Sequence, residues 1–209
     1  MSEPLKSGDL LVQPENPQTK TQAQRDQGIG AGNGNINRPV ALDLQDPESD
    51  IRFTKEAKTA LEIAIAMAKK HGGKPVCSEH ILYGLLNVSD SLSGRALSQT
   101  KVKPASVELF LRSASVAEPA PEDLRGYLLG GDACRILEGA REEAEYDRER
   151  LIDTDHLLLA LIMDGSGMGD LILRQLNVNL FDLGAVLLSL AEEQRSKGRA
   201  PAPLEKEPD

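Results

Sequence analysis

Shifted by 76 residues, this sequence lays residues 54–114 on 130–190 without a gap. Ala57 falls on Ala133, Leu61 on Leu137, Glu62 on Glu138, Ala64 on Ala140 and Ala68 on Ala144. Further along, His80 falls on His156, Leu82 on Leu158, Leu85 on Leu161, Leu97 on Leu173, Gln99 on Gln175 and Val102 on Val178. Most of these positions are small or apolar, so the two stretches share one packing scheme, and a repeat of this kind constrains the fold before any other feature. Within a copy the apolar residues follow a helical period: Ala57, Ala60, Leu61, Ala64, Met67 and Ala68 recur at steps of three and four. Gly72-Gly73 and Pro75 end that helix. Ser78 stands where an N-cap belongs, ahead of Ile81, Leu82, Leu85 and Leu86. A short segment around Arg95-Ala96-Leu97 follows, and a fourth helix starts near Pro104, which a first turn tolerates. No stretch alternates like a strand for long.

The spacing predicts an all-α domain of two tandem four-helix repeats over 52–191. Copy one covers 52–114, a linker rich in Ala, Pro and Glu covers 115–127, and copy two covers 128–191. Residues 1–51 are dominated by Gln, Asn, Gly, Pro and charge, cannot offset their ordering entropy by apolar burial, and are expected to form a disordered tail. Residues 192–209 read as a second tail. The run Gly28-Ile29-Gly30-Ala31-Gly32-Asn33-Gly34 has neither a strand before it nor an amphipathic helix after it, so it reads as linker rather than a phosphate loop.

Charge narrows the function. A net charge of −9 gives no basic face for nucleic acid. The sign is divided, however: residues 51–114 hold ten Lys/Arg against five Asp/Glu, and residues 115–191 hold six against fifteen. The halves are thus suited to different partners, or one half to steering a charged ligand. No apolar run approaches the roughly 18–20 residues of a membrane span. The start Met1-Ser2-Glu3-Pro4 does not read as a signal peptide. Cys77 and Cys134 lack CxxC or Cys/His spacing and suit a reducing compartment, so cytoplasm is the expectation. Three histidines, two of them at repeat-equivalent positions, are too few for a zinc site of three or four ligands. Without a GxSxG or Cys–His arrangement or a GxxxxGK[ST] loop, neither catalysis nor a metal, nucleotide or other cofactor is expected.

Phe53-Thr54-Lys55-Glu56-Ala57, followed by Ser78-Glu79-His80-Ile81-Leu82-Tyr83-Gly84-Leu85-Leu86, resembles the Clp N-terminal repeat, which opens F-T-x-x-A and later reads G-T-E-H-I/L-L-x-G-L. The second copy offers Thr154-Asp155-His156-Leu157-Leu158-Leu159-Ala160-Leu161-Ile162. Two such copies resemble the whole N-terminal domain of ClpC/ClpA-type unfoldases. The resemblance implies a binding module rather than an enzyme. Its partners would be a separate Clp AAA+ unfoldase or the Clp peptidase, together with substrate or adaptor proteins. It would recruit, dock as an accessory subunit, or sequester ligands as a decoy.

The resemblance also singles out Glu79 and Asp155, the positions at which the family's motif glutamates help bind phosphorylated arginine. A carboxylate can take paired hydrogen bonds from a guanidinium. Ser78 and Thr154 would cap the two helices at that site, where backbone N–H groups can meet an anion. Asp155 is one methylene shorter than the motif's Glu, Cys77 and Asp153 replace its Gly, and copy two lacks the opening Phe-Thr. On a plainer reading, Glu79 and Asp155 complement their helix dipoles and His80 and His156 are packed structural residues.

Overall fold

A computed structural model describes residues 40–42, 44, 51–72, 75–113 and 127–198. The expected Ala/Leu stripe makes Lys55–Lys70 the helix α1, with Ala57, Ala60, Leu61, Ala64, Met67 and Ala68 buried. Thr54 caps it, its Oγ1 accepting the Ala57 N–H at 3.2 Å. Then come α2 (Ser78–Asn87), α3 (Leu92–Ser98) and α4 (Pro104–Ser113). Copy two contains α5 (Gly131–Tyr146), α6 (Thr154–Asp164), α7 (Met168–Gln175) and α8 (Leu180–Gly198). Helix starts at 55 and 131, 78 and 154, 92 and 168, and 104 and 180 differ by 76 residues each, so the repeat seen in the sequence is a repeat of structure. The all-α class and the two four-helix copies stand.

Three expectations are corrected. The domain does not end at 191, because α8 continues to Gly198. Its last turns hold few apolar residues but good helix formers, and Lys197 Nζ pairs with Glu193 Oε1 at 2.5 Å, one helical turn away. Secondly, Val40–Leu42, inside the expected N-terminal tail, forms a strand (β1) antiparallel to Tyr127–Leu129 (β2), with Val40 opposite Leu129 and Leu42 opposite Tyr127. Three-residue strands are too short to show alternation. Thirdly, Tyr127, the last residue of the expected linker, belongs to β2. Residues 1–39, 43, 45–50, 73–74, 114–126 and 199–209 lie outside the described residues, and with them the Gly28–Gly34 run and most of both tails.

The copies are tied together by exchange. Phe53 bridges Ile152 and Val76 bridges Leu129, both parallel. Thr54 N–H donates to Ile152 O at 2.9 Å and Ile152 N–H to Arg52 O at 2.8 Å. The equivalent pair is Gly130 N–H to Val76 O and Val76 N–H to Leu128 O, both 2.8 Å. The residues before the first helix of each copy thus pair with the loop before the second helix of the other. One core spans both copies, with Leu82, Leu85, Leu158 and Leu161 at its centre, each 1% exposed or less. Across the copy boundary α2 packs on α7 and α3 on α8.

Two local features shape the surroundings of the second helices. At the α1–α2 crossing a Cβ on Gly84 would lie 2.0 Å from the Ala60 carbonyl oxygen, so the helices touch backbone to backbone. At the end of α5, Glu149 N–H donates to Ala144 O at 2.8 Å and Arg148 N–H to Glu145 O at 3.0 Å. This is a Schellman turn, and it puts Arg148 at φ 61°, the left-handed position that Gly72 (φ 102°) holds in copy one. The turn sets Asp147 and Glu149 on either side of Arg148.

Candidate ligand site at the paired helix starts

Each second helix begins after an extended residue, Cys77 (φ −119°, ψ 176°) or Asp153 (φ −103°, ψ 177°). These two are the N-caps. The histidine three residues on reaches back: Cys77 N–H donates to His80 Nδ1 at 3.1 Å, and Asp153 N–H to His156 Nδ1 at 3.0 Å. Histidine thus takes the part that Glu or Gln plays in a capping box. Both rings are 2% exposed. The plainer account of the histidines agrees with this geometry, and the Cys77-x-x-His80 and Asp153-x-x-His156 spacing was its overlooked signal.

Ser78 and Thr154, expected as caps, are instead the first residues inside their helices, 1% and 0% exposed. Ser78 Oγ accepts the Gly169 N–H at 3.0 Å, and its own N–H donates to Asp132 Oδ2 at 3.0 Å. Thr154 Oγ1 accepts the Ser93 N–H at 3.5 Å, the equivalent contact from the other side. Each hydroxyl therefore joins its helix to the third helix of the opposite copy. In copy one the cap expectation was one residue late because Cys77 is a poor capping type and Ser78 a good one; in copy two Asp153 and Thr154 are both good capping types, and Asp153 takes the position.

Glu79 and Asp155 occupy the first turns of α2 and α6, with side chains 14% and 9% exposed. Each lies 3.8 Å from the Nδ1 of its neighbouring histidine. The structure does not make the two alike. Asp155 Oδ2 lies 4.0 Å from a guanidinium nitrogen of Arg195, which also bonds Asp147 and, at 3.2 Å, Glu149 Oε1. Burial works against the charge on Arg195, yet the carboxylates of Asp147 and Glu149 outweigh it and raise its pKa. Sequence reasoning missed Arg195, Asp147 and Glu149; a contact spanning 46 to 48 residues leaves no periodic trace.

Burial pushes the Asp155 carboxyl above its ordinary 3.8; His156 pulls it down, and Asp153 and Glu149 add to the rise. The folded chain therefore keeps this proton to higher pH than the unfolded chain does. Its stabilising contribution is full below the unfolded value and is lost as pH rises through the folded one. Asp155→Asn is expected to raise Tm relative to wild type more at pH 7 than at pH 3. Melting curves at the two pH values check this, and the reverse order would mean that attraction to Arg195 outweighs burial.

Cys77, Glu79 and His80 bring one ligand atom each within 4.8 Å of one another. The His80 nitrogen on that side already accepts the Cys77 N–H, so its lone pair is engaged. A separate groove is lined by Gln99, Lys101, Leu176, Asp182, Leu183 and Val186, and none of the four expected site residues borders it. Among the described residues no single helix is long and apolar enough to cross a membrane.

The model of the Clp repeat N-terminal domain matches this chain at residues 52–126 and 131–205, once for each copy. The chain belongs to that family. It is 31% identical over 148 residues to a ClpA homolog, an ATP-binding subunit of Clp protease from Cyanidium caldarium, covering 68% of this chain and 16% of that protein. The ClpC/MecB protein of Bacillus subtilis (strain 168), a negative regulator of genetic competence, is 27% identical over 134 residues, or 62% of this chain and 16% of that one. The chain thus spans about a sixth of the length of these relatives. Among solved structures, the N-terminal domain of ClpD from Arabidopsis thaliana is similar at TM-score 0.52 and 22% identity, covering 68% of this chain and 95% of that domain. A ClpV N-domain, solved in complex with a VipB peptide, is similar at TM-score 0.52 and 18% identity, covering 74% and 96%. The all-α double repeat is the fold of these N-terminal domains.

Proposed function

We propose that this Clp repeat domain is a non-catalytic binding module that recruits substrate or partner proteins to a separate Clp AAA+ unfoldase in the cytoplasm. The observation that carries the reading is the pair of first-turn carboxylates, Glu79 and Asp155, held at equivalent helix starts by buried histidine caps. Such a carboxylate can take a guanidinium, and the helix N-terminus beside it favours an attached phosphate. The peptide complex of the related ClpV N-domain supports a binding role for this fold. A second reading, docking on the Clp peptidase assembly as an accessory subunit, draws on the opposite charge of the two halves. A third is a decoy that sequesters phosphoarginine proteins.

Calorimetric titration with a phosphoarginine peptide tests the first reading. Glu79→Ala is expected to weaken binding by about 1.5–3 kcal/mol, the range for hydrogen bonds to charged groups. Its melting curve should move only by the tenths of a kcal/mol that a first-turn carboxylate contributes. Asp155→Ala should cost little or none of this binding, because its side chain is shorter and already faces the guanidinium of Arg195. A wild type that gives no heat at millimolar peptide overturns both recruitment and decoy readings and leaves docking. Where the peptide does bind, addition of a Clp ATPase separates recruitment from sequestration, since a recruiter carries its bound peptide to the ATPase and a decoy withholds it.

A further inference from the structure

Arg195 sits on the part of α8 beyond the expected domain end and meets the connection between α5 and α6. Its Nη2 pairs with Asp147 Oδ2, its Nε donates to Glu149 Oε1 at 3.2 Å, and Asp155 Oδ2 lies 4.0 Å from Nη2. The place it occupies is built. The Schellman turn holds Asp147 and Glu149, and Asp155 forms a floor only 7% exposed. Asp155 Oδ1, a buried acceptor, has no hydrogen-bond partner among the described residues, while His156, whose Nδ1 accepts the Asp153 N–H, presents Nε2 as a donor 3.5 Å from Asp147 Oδ2. An acceptor-rich, half-satisfied pocket of this kind complements a planar cation with several N–H donors. Three carboxylates around one guanidinium leave surplus negative charge, which suits an unmodified arginine and repels a phosphorylated one.

Copy one has no such arrangement. The position equivalent to Asp147 is His71, that equivalent to Glu149 is Gly73, and the same offset places Pro119 opposite Arg195. We propose that Asp147, Glu149 and Asp155 form a seat for an unmodified arginine side chain of a polypeptide, and that the chain's own Arg195 occupies it in cis. This deepens the reading of the copy-two helix start as a ligand site but assigns it a different ligand from Glu79. The cis occupant is releasable, because after Ala191 residues 192–197 are exposed and bury no apolar side chain. While it stays, its high effective concentration shuts the seat to an arginine in trans.

The probe is a blocked, unphosphorylated Ala-Arg-Ala tripeptide, followed by NMR at the amides of Asp155 and His156. Arg195→Ala should bind it at least about tenfold more tightly than wild type, as loss of a tethered competitor requires. Adding Asp155→Asn to that variant should remove the gain. Arg195→Lys keeps the charge without the planar fork; it should fall between the two and keeps the test available if Arg195→Ala lowers Tm too far. Equal affinity in wild type and both Arg195 variants would make Arg195 a structural ion pair and overturn the proposal, as would a gain that survives Asp155→Asn. A chain that ignores phosphoarginine yet shows the Arg195→Ala gain would lose the Glu79 reading and keep this one.

Discussion

Gly84→Ala is expected to destabilise the domain by about 3 kcal/mol or more, at or above the usual cost of overpacking a close-packed interior. The added methyl would sit 2.0 Å from the Ala60 carbonyl oxygen, which is backbone and cannot rotate away. Helix α1 or α2 has to shift, and both carry core side chains that are 0–1% exposed, among them Ala57, Leu61, Ile81 and Leu82. Copy two supplies the control. There the position equivalent to Gly84 is already Ala160, and the facing helix makes room with Gly139, whose added Cβ would lie 3.3 Å from the Ala160 Cβ. Gly139→Ala should be near neutral, because a displacement of a few tenths of an ångström is offset by the roughly 1 kcal/mol that Ala gains over Gly in a helix. Urea unfolding of both variants checks the contrast. A Gly84→Ala loss below about 1 kcal/mol would mean that the helices do not cross backbone to backbone.

Separating the copies should have a still larger effect. A chain cut between 113 and 127 and purified as two halves is expected to give two fragments with little helix and no cooperative melt. Mixing them should restore both. Each half alone loses the four exchanged backbone bonds from Thr54, Val76, Gly130 and Ile152, worth about 2–6 kcal/mol together. It also uncovers the apolar faces that α2 shows to α7 and α3 to α8. Against a total stability of about 5–15 kcal/mol for an intact domain, the bonds alone are a large share, and the uncovered apolar faces add to it. Circular dichroism of the halves decides the matter; a half that melts cooperatively near the temperature of the whole chain would show that each copy is a domain in its own right.

What the sequence disclosed and what it hid divide along physical lines. Helix positions and the 76-residue offset were legible because the core face of an amphipathic helix writes its period into the chain: Ala57, Ala60, Leu61 and Ala64 are all buried as that period requires. The caps were displaced by one residue because capping types are preferences, and the favoured types Ser78 and Thr154 were used for contacts between copies. The last turns of α8 were hidden because an exposed helix held by pairs such as Lys197–Glu193 has the composition of a tail. Val40–Leu42 and the bridges at Phe53 and Val76 involve one to three residues each, below the length at which strand alternation exists. The residues around Arg195 come together only after folding. Glu79 and Asp155 were legible through the family motif, which states their position and nothing of their burial.

The exchange between copies is the geometry of a domain-swapped homodimer written into one chain. Each copy lends the other the segment before its first helix, on terms that a two-fold axis would dictate. Such a dimer does not distinguish its first subunit from its second, so the order of the copies along the polypeptide is incidental to how they interlock. What the fusion adds is permission to differ: with partnership secured by covalent linkage, each half can diverge without having to match an identical twin. Copy two has used that latitude for an arginine and two further carboxylates, Asp147 and Glu149, at the positions where copy one holds His71 and Gly73.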